Sequence, residues 1–204
     1  MAGDLACCTC GVGQYSPSVA ATSSTTCSSC PSNTNSEIAS GVSTDCTCNA
    51  GSSGSDGFAC NLCAAGTYKI TTGSSACIDC LEDHYSPEIG AISNVCQSCG
   101  AHSSSSNASA SQLDCLCDTG FTGPNGGLTC IECTAGTFKN VLGDENCTGC
   151  VSGKYSTMNA ASSDLCEACP VRSSSPIASD NLANCTCNAG STGPDGMDCV
   201  LCVA

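Results

Sequence analysis

The sequence predicts a small disulfide-rich fold: a tandem array of cysteine-stapled modules, made of short β-hairpins and loops with almost no helix, drawn out as an elongated rod. Three observations carry this. Cysteines number 25 in 204 residues, a density at which a disulfide framework is the default reading. Corresponding cysteines recur at intervals of 69 or 70 residues along the chain, the mark of a repeat architecture. Core formers are scarce: Trp is absent, there are four Tyr and three Phe, and Ala and Cys supply much of the 41% hydrophobic content. A chain of this length normally buries one large core. This one is expected to be a string of small units instead.

Three repeats follow, over residues 1–63, 64–133 and 134–204. The first opens at Cys7-Cys8-Thr9-Cys10 and passes Cys27-x2-Cys30 and Cys46-Thr47-Cys48 before closing on Cys60-x2-Cys63. The second carries Cys77-x2-Cys80, Cys96-x2-Cys99, Cys115-Leu116-Cys117 and Cys130-x2-Cys133. The third carries Cys147-x2-Cys150, Cys166-x2-Cys169, Cys185-Thr186-Cys187 and Cys199-x2-Cys202. Because the spacing holds while the filling varies, the cysteines define the structure. Segments such as NAGSSGSDG and DTGFTGPNGG between them are dense in turn residues. No stretch has a 3.6-residue apolar period, so helix is not expected.

A smaller repeat lies inside the larger one. Five times an aromatic falls five residues after the second cysteine of a C-x2-C pair: Tyr15, Tyr68, Tyr85, Phe138 and Tyr155. Gly13, Gly66, Gly136 and Gly153 stand two residues before four of them, and Asp83 before the fifth. Gly suits a positive-φ turn there, and Asp is among the few residues that tolerate one. The aromatic is expected to cover the adjacent disulfide as a packing residue rather than a ligand contact.

Charge narrows the function classes. Four Lys+Arg against 18 Asp+Glu give a formal charge of −14, which excludes phosphate-backbone binding as a main activity, so no nucleic-acid partner is expected. No run of 18 apolar residues is present, so no membrane insertion is expected either. The opening MAGDLACCTC lacks the basic flank and apolar centre of a signal peptide. Disulfides nevertheless require an oxidising compartment. A mature form, or an excerpt of a longer secreted chain, reconciles the two.

The series C-x2-C-x2-G-x-Y/F-x-C, then a C-P-x2-S/T element and C-x-C-x2-G, resembles the cysteine-rich, ephrin-receptor-like repeat, a module related to epidermal-growth-factor-like folds in large extracellular proteins. The resemblance covers essentially the whole chain. Pro31 and Pro170 match its proline, whereas Gly100 replaces it in the second unit and Cys8 has no counterpart. Growth-factor-like modules pair their cysteines first with third, second with fourth, and fifth with sixth. The resemblance thereby implies Cys10–Cys30, Cys27–Cys46 and Cys48–Cys60, then Cys80–Cys99, Cys96–Cys115 and Cys117–Cys130, then Cys150–Cys169, Cys166–Cys185 and Cys187–Cys199. Cys63–Cys77 and Cys133–Cys147 would close the junctions. Spacing alone leaves the connectivity open, since eight cysteines already allow 105 pairings. Eleven such bonds leave Cys7, Cys8 and Cys202 over, as candidate intermolecular contacts.

Other chemistry weighs little. The C-x2-C pairs lie within zinc-site spacing, but they run in an unbroken ladder among Ser/Thr-rich loops with only two histidines, His84 and His102, which read as surface residues. Asp56, Asn125 and Asp195 occupy equivalent Gly-rich turns and serve turn geometry; the oxygen-ligand series of a calcium loop is missing. No cofactor is expected, and no catalytic constellation stands out. Asn107, Asn146 and Asn184 begin N-glycosylation sequons. The last two have a cysteine in the middle position, which hinders modification. Ser103–Ser106 and Ser173–Ser175 read equally as O-glycan carriers or as flexible linker.

The functional expectation is a non-catalytic extracellular or cell-surface structural protein. It would be a building block of a fibre, stalk or filament whose partners are copies of itself, head to tail, and glycans. The alternative is a ligand-binding or adhesive receptor ectodomain.

Overall fold

The computed structural model describes residues 9–18 and 24–203. Among them the chain forms eleven two-stranded antiparallel hairpins and no α-helix. Every strand is two residues long. Short 3-10 turns at Ser24–Thr26, Ser43–Asp45, Gln112–Asp114 and Leu182–Asn184 each end one residue before a cysteine. Side chains tie two of these turns. Asp45 accepts from the Gly41 and Val42 amides, and Asn181 accepts from the Ala183 amide, as an N-cap does.

The described chain divides into two compact units. The first comprises Met1–Ser98 with Ser106–Ser111, and the second Cys99–Ser105 with Gln112–Ala204. The first unit holds the hairpins Gln14–Tyr15/Ser28–Ser29, Thr34–Asn35/Thr47–Cys48, Ser52–Ser53/Asn61–Leu62, Thr67–Tyr68/Ile78–Asp79 and His84–Tyr85/Gln97–Ser98. The second holds Ser103–Ser104/Leu116–Cys117, Phe121–Thr122/Ile131–Glu132, Thr137–Phe138/Thr148–Gly149, Lys154–Tyr155/Glu167–Ala168, Ser173–Ser174/Thr186–Cys187 and Ser191–Thr192/Val200–Leu201.

All eleven hairpins follow one plan, and it decides the disulfides. A cysteine opens the hairpin, a left-handed residue turns the chain into the first strand, and a second cysteine at the head of the second strand closes the bond. The bonds are therefore sequential: Cys10–Cys27, Cys30–Cys46, Cys48–Cys60, Cys63–Cys77 and Cys80–Cys96 in the first unit. The second unit has Cys99–Cys115, Cys117–Cys130, Cys133–Cys147, Cys150–Cys166, Cys169–Cys185 and Cys187–Cys199.

This corrects the growth-factor-like pairing. Cys10–Cys30, Cys27–Cys46, Cys80–Cys99, Cys96–Cys115, Cys150–Cys169 and Cys166–Cys185 are replaced. Loop entropy does not decide the matter, because widening such loops by a few residues costs only ~0.1–0.2 kcal/mol. Strand geometry does. The two middle residues of a C-x2-C form the second strand, as Gln97–Ser98 do between Cys96 and Cys99. Residues three apart on an extended strand face opposite ways. The first cysteine therefore closes the hairpin just made and the second opens the next.

Main-chain bonds then join each hairpin to its neighbours within a unit. Tyr68 makes a parallel bridge to Ala91, Tyr85 to Ser109, Phe138 to Ala161 and Tyr155 to Ser179. Around the first of these, the Gly66 amide donates to Ser86 O at 2.7 Å and the Lys69 amide to Ala91 O at 3.0 Å. The left-handed residue expected before the aromatic strands is present, with φ of 75° at Gly13, 82° at Gly66, 63° at Asp83, 82° at Gly136 and 81° at Gly153. It also precedes the first strand of the other six hairpins, where Asn33, His102 and Arg172 take the role beside three glycines.

Gly136 is held there by space as well as by φ. A Cβ on it would lie 2.3 Å from Ala178 O, whereas one on Gly153 would meet nothing nearer than Ser174 Oγ at 3.5 Å. Gly136→Ala is accordingly expected to cost about 2–4 kcal/mol, from left-handed strain plus a forced backbone shift, and Gly153→Ala about 1 kcal/mol. Hydrogen exchange at the Ala178 amide, which donates to Cys150 O, measures the first. Equal losses for the two variants would refute the steric argument.

The interior is cystine sulfur. Cys46, Cys48, Cys115, Cys117 and Cys185 are fully buried, while Phe58, Leu128 and Ile177 are exposed. The aromatics are not the nucleus that the sequence suggests: Tyr85 is buried, but Tyr15, Tyr68, Phe138 and Tyr155 are only half-buried. Side chains alternate along an extended strand, and the residue after each aromatic takes the inward face.

Candidate functional site

That inward residue is Ser16, Ser86 or Ser156 in three hairpins, and Lys69 or Lys139 in the two that close with Cys63–Cys77 and Cys133–Cys147. Both lysines are almost wholly enclosed, at 1% and 2% exposure, in a chain with four Lys+Arg in all. A buried ammonium is costly unless its donors are met. Lys139 Nζ donates to Phe121 O at 2.7 Å, Gly143 O at 2.6 Å and Cys117 O at 3.3 Å. Lys69 Nζ donates to Ser52 O at 2.6 Å and to Gly73 O. An ammonium offers three donors and no acceptor, so a ring of carbonyl oxygens suits it.

The lysine main chain joins the same contact. Lys69 O accepts from the Gly51 amide and Lys139 O from the Gly120 amide, both at 2.8 Å. The Gly73 amide donates to Cys48 O at 2.8 Å and the Gly143 amide to Cys117 O at 2.9 Å. Each junction hairpin is thus clamped onto the hairpin before it by a cation in a carbonyl cage. The motif behind it, Gly-Thr-Tyr/Phe-Lys-x3-Gly-x3-Cys, occurs at Gly66–Cys77 and Gly136–Cys147. Sequence reasoning passed over it, although Lys recurring exactly where Ser stands in the other aromatic hairpins was a legible signal.

The remaining candidates are peripheral. His102 is exposed and stacks on Phe121, with ring centroids 4.0 Å apart and planes within 7°. His84 Nδ1 lies 2.9 Å from Glu82 O, and its Nε2 lies 3.1 Å from Ser98 Oγ. Asp56 accepts from the Cys48 amide at 3.1 Å, a turn contact. Asn107 and Asn146 are exposed, whereas Asn184 is half-buried and donates its amide to Asp180 Oδ1 at 2.9 Å. The Tyr155 hydroxyl donates to Glu167 Oε2 at 2.8 Å, and this bond, with burial and the carboxylate charge, raises its pKa above the ordinary 10.0. Cys7 and Cys8 lie outside the described residues. Cys202 is a free, exposed thiol.

Cystine-stapled hairpins clamped by buried lysines define a class, the small disulfide-rich repeat. The family model for tyrosine-protein kinase ephrin type A/B receptor-like sequences matches twice, over residues 51–95 and 120–164. These two segments are similar to ephrin-receptor-like cysteine-rich repeats, an extracellular and non-catalytic type of module. Each match begins at the glycine, Gly51 or Gly120, that donates to the caged lysine's carbonyl. No helix among the described residues is long and apolar enough to cross a membrane.

Proposed function

We propose that the protein is a non-catalytic structural component outside the cell, a building block of a surface fibre, stalk or filament in which copies associate end to end. One observation supports this above the rest: within each unit, hairpins of one plan, each closed by its own disulfide, are bonded in series to their neighbours through main-chain hydrogen bonds and bridges. Such a quasi-one-dimensional array serves length and spacing. A head-to-tail contact between copies generates an open filament unless it closes, with Cys202 of one chain beside Cys7 or Cys8 of the next. Exposed aliphatic side chains such as Ile38, Ile89, Leu128 and Ile177 are spread over both units, which favours this reading over a single ligand-binding patch.

Sedimentation and electron microscopy of the native protein test the assembly. Filaments, or a ladder of 20.0 kDa multiples on non-reducing electrophoresis, are expected; a monodisperse monomer at all concentrations ends the reading. N-glycosylation is expected first at Asn107, whose side chain is exposed, then at Asn146. Asn184 should be least modified, because its amide is already engaged. Glycosidase treatment with peptide mapping measures the order, and a fully occupied Asn184 beside a bare Asn107 would contradict it.

A further inference from the structure

A cleft between two neighbouring hairpins of the first unit differs in polarity from its counterpart in the second. Its volume is about 150 Å³, and it is lined by Tyr68, Asp79, Leu81, His84 and Asn94. Seventy residues on, the same places hold Phe138, Gly149, Val151, Lys154 and Asp164. The backbone is alike in both. The Ala108 amide donates to Cys80 O at 2.9 Å and the Ala178 amide to Cys150 O at 2.8 Å. Ala108 and Ala178 are left-handed, with φ of 57° and 61°. Asn94 Oδ1 accepts from the Cys96 amide as Asp164 Oδ1 does from the Cys166 amide, both at 3.0 Å.

The side chains differ in one direction. Asn94 still has its NH2 group to donate, where Asp164 offers only acceptors. Tyr85 and Tyr155 give their hydroxyls to Gln97 and Glu167 across the hairpin. Ile78 stands opposite Tyr68 instead, which leaves the Tyr68 hydroxyl to the cleft. Asp79 adds a carboxylate where Gly149 has no side chain. The cover changes in the same sense. In the second unit Ile177 lies over Gly149, its Cγ2 3.2 Å from where a Cβ on that glycine would stand. The counterpart of Ile177 is Asn107, exposed and first in its sequon. The shared backbone thus sets Asn107 beside Asp79: one copy has an apolar cover, the other an attachment point for sugar.

We infer that the cleft of Tyr68, Asp79 and Asn94 is a docking site for the first sugar of the glycan on Asn107. Sugar hydroxyls both give and accept hydrogen bonds, so a carboxylate beside an amide NH2 suits them better than it suits a cation. The Tyr68 ring meets the C–H face of the pyranose. A cavity of this size admits a single six-membered ring, and a few convergent polar groups on an apolar wall are what a small-ligand site consists of. Free sugar would bind weakly here, but attachment through Asn107 holds it at an effective concentration of about a millimolar or more. The inference rests on glycosylation of Asn107 and not on end-to-end assembly.

The full-length chain secreted from a eukaryotic host, with N-acetylglucosamine as that first sugar, tests it. Peptide mapping establishes the occupancy of Asn107. Nuclear Overhauser contacts between the Tyr68 ring and this sugar are expected, with slow release of the glycan by peptide N-glycosidase under native conditions. The comparison is the triple variant Tyr68→Phe, Asp79→Ala, Asn94→Asp, which keeps the net charge and the acceptor for the Cys96 amide. Release is expected to be about tenfold faster from the variant. Equal hydrogen-exchange protection of the Ala108 amide in both chains shows that the hairpins stay folded; if the variant unfolds, the contacts in the native chain decide. Equal release rates from folded chains, or no contact between Tyr68 and the sugar, overturn the inference. A secreted chain with Asn107 bare overturns it too, and mapping separates that failure from a glycan that is present but undocked. None of these outcomes alters the particle-size test of end-to-end assembly.

Discussion

Reduction is expected to unfold this protein completely, and loss of a single cystine to unfold it locally. Each bond closes a loop with a sequence separation of 12 to 17 residues, worth about 3 kcal/mol in the chain-entropy model. Nothing else can take over. The fully buried side chains are mostly those of half-cystines, and the large aliphatics lie outside. Two-residue strands in isolated pairs are not stable alone in water. Replacing Cys133 and Cys147 together by Ala should cost about 2–5 kcal/mol. The loss should appear as fast hydrogen exchange at the Gly120 and Cys150 amides, which donate to Lys139 O and Gly136 O. The Gly13 amide, bonded to Ser36 O, should keep its protection, since stability in such arrays is a sum of local terms. Cooperative loss of protection at both places would show that the chain unfolds as one body.

Lys139→Met is expected to destabilise by about 3 kcal/mol with every cystine left intact. Two terms oppose each other. Removing the ammonium relieves its desolvation, but it leaves Phe121 O, Gly143 O and Cys117 O without that donor, and an unmet buried acceptor costs about 1–3 kcal/mol. The acceptors outnumber the charge, so the loss should win. Met fills most of the volume, which separates the polar effect from a cavity. Lys154→Met, at a half-buried strand position, should change stability by less than about 0.5 kcal/mol. Denaturant titration with cystines intact compares them. A Lys139→Met variant as stable as Lys154→Met would show that water enters the cage and satisfies the carbonyls.

The sequence by itself determined the class of fold, the repeat interval and the identity of the framework. Cysteine spacing is a one-dimensional property, and 69- or 70-residue periodicity survives any three-dimensional detail. Asp83 could be assigned to a left-handed turn for the same kind of reason, because backbone sterics act locally. Tertiary structure decided the rest. Whether Cys27 bonds Cys10 or Cys46 depends on which face of a strand each sulfur occupies, and that follows from hairpins two residues wide, which no propensity announces. The aromatics looked like the nucleus because large apolar side chains usually are buried. In strands this short only one face is enclosed, and the residue after the aromatic holds it. Lys69 and Lys139 belong to that enclosed face because carbonyls from separate stretches of chain converge on each ammonium, two on Lys69 and three on Lys139, an arrangement that exists only once consecutive hairpins are stacked.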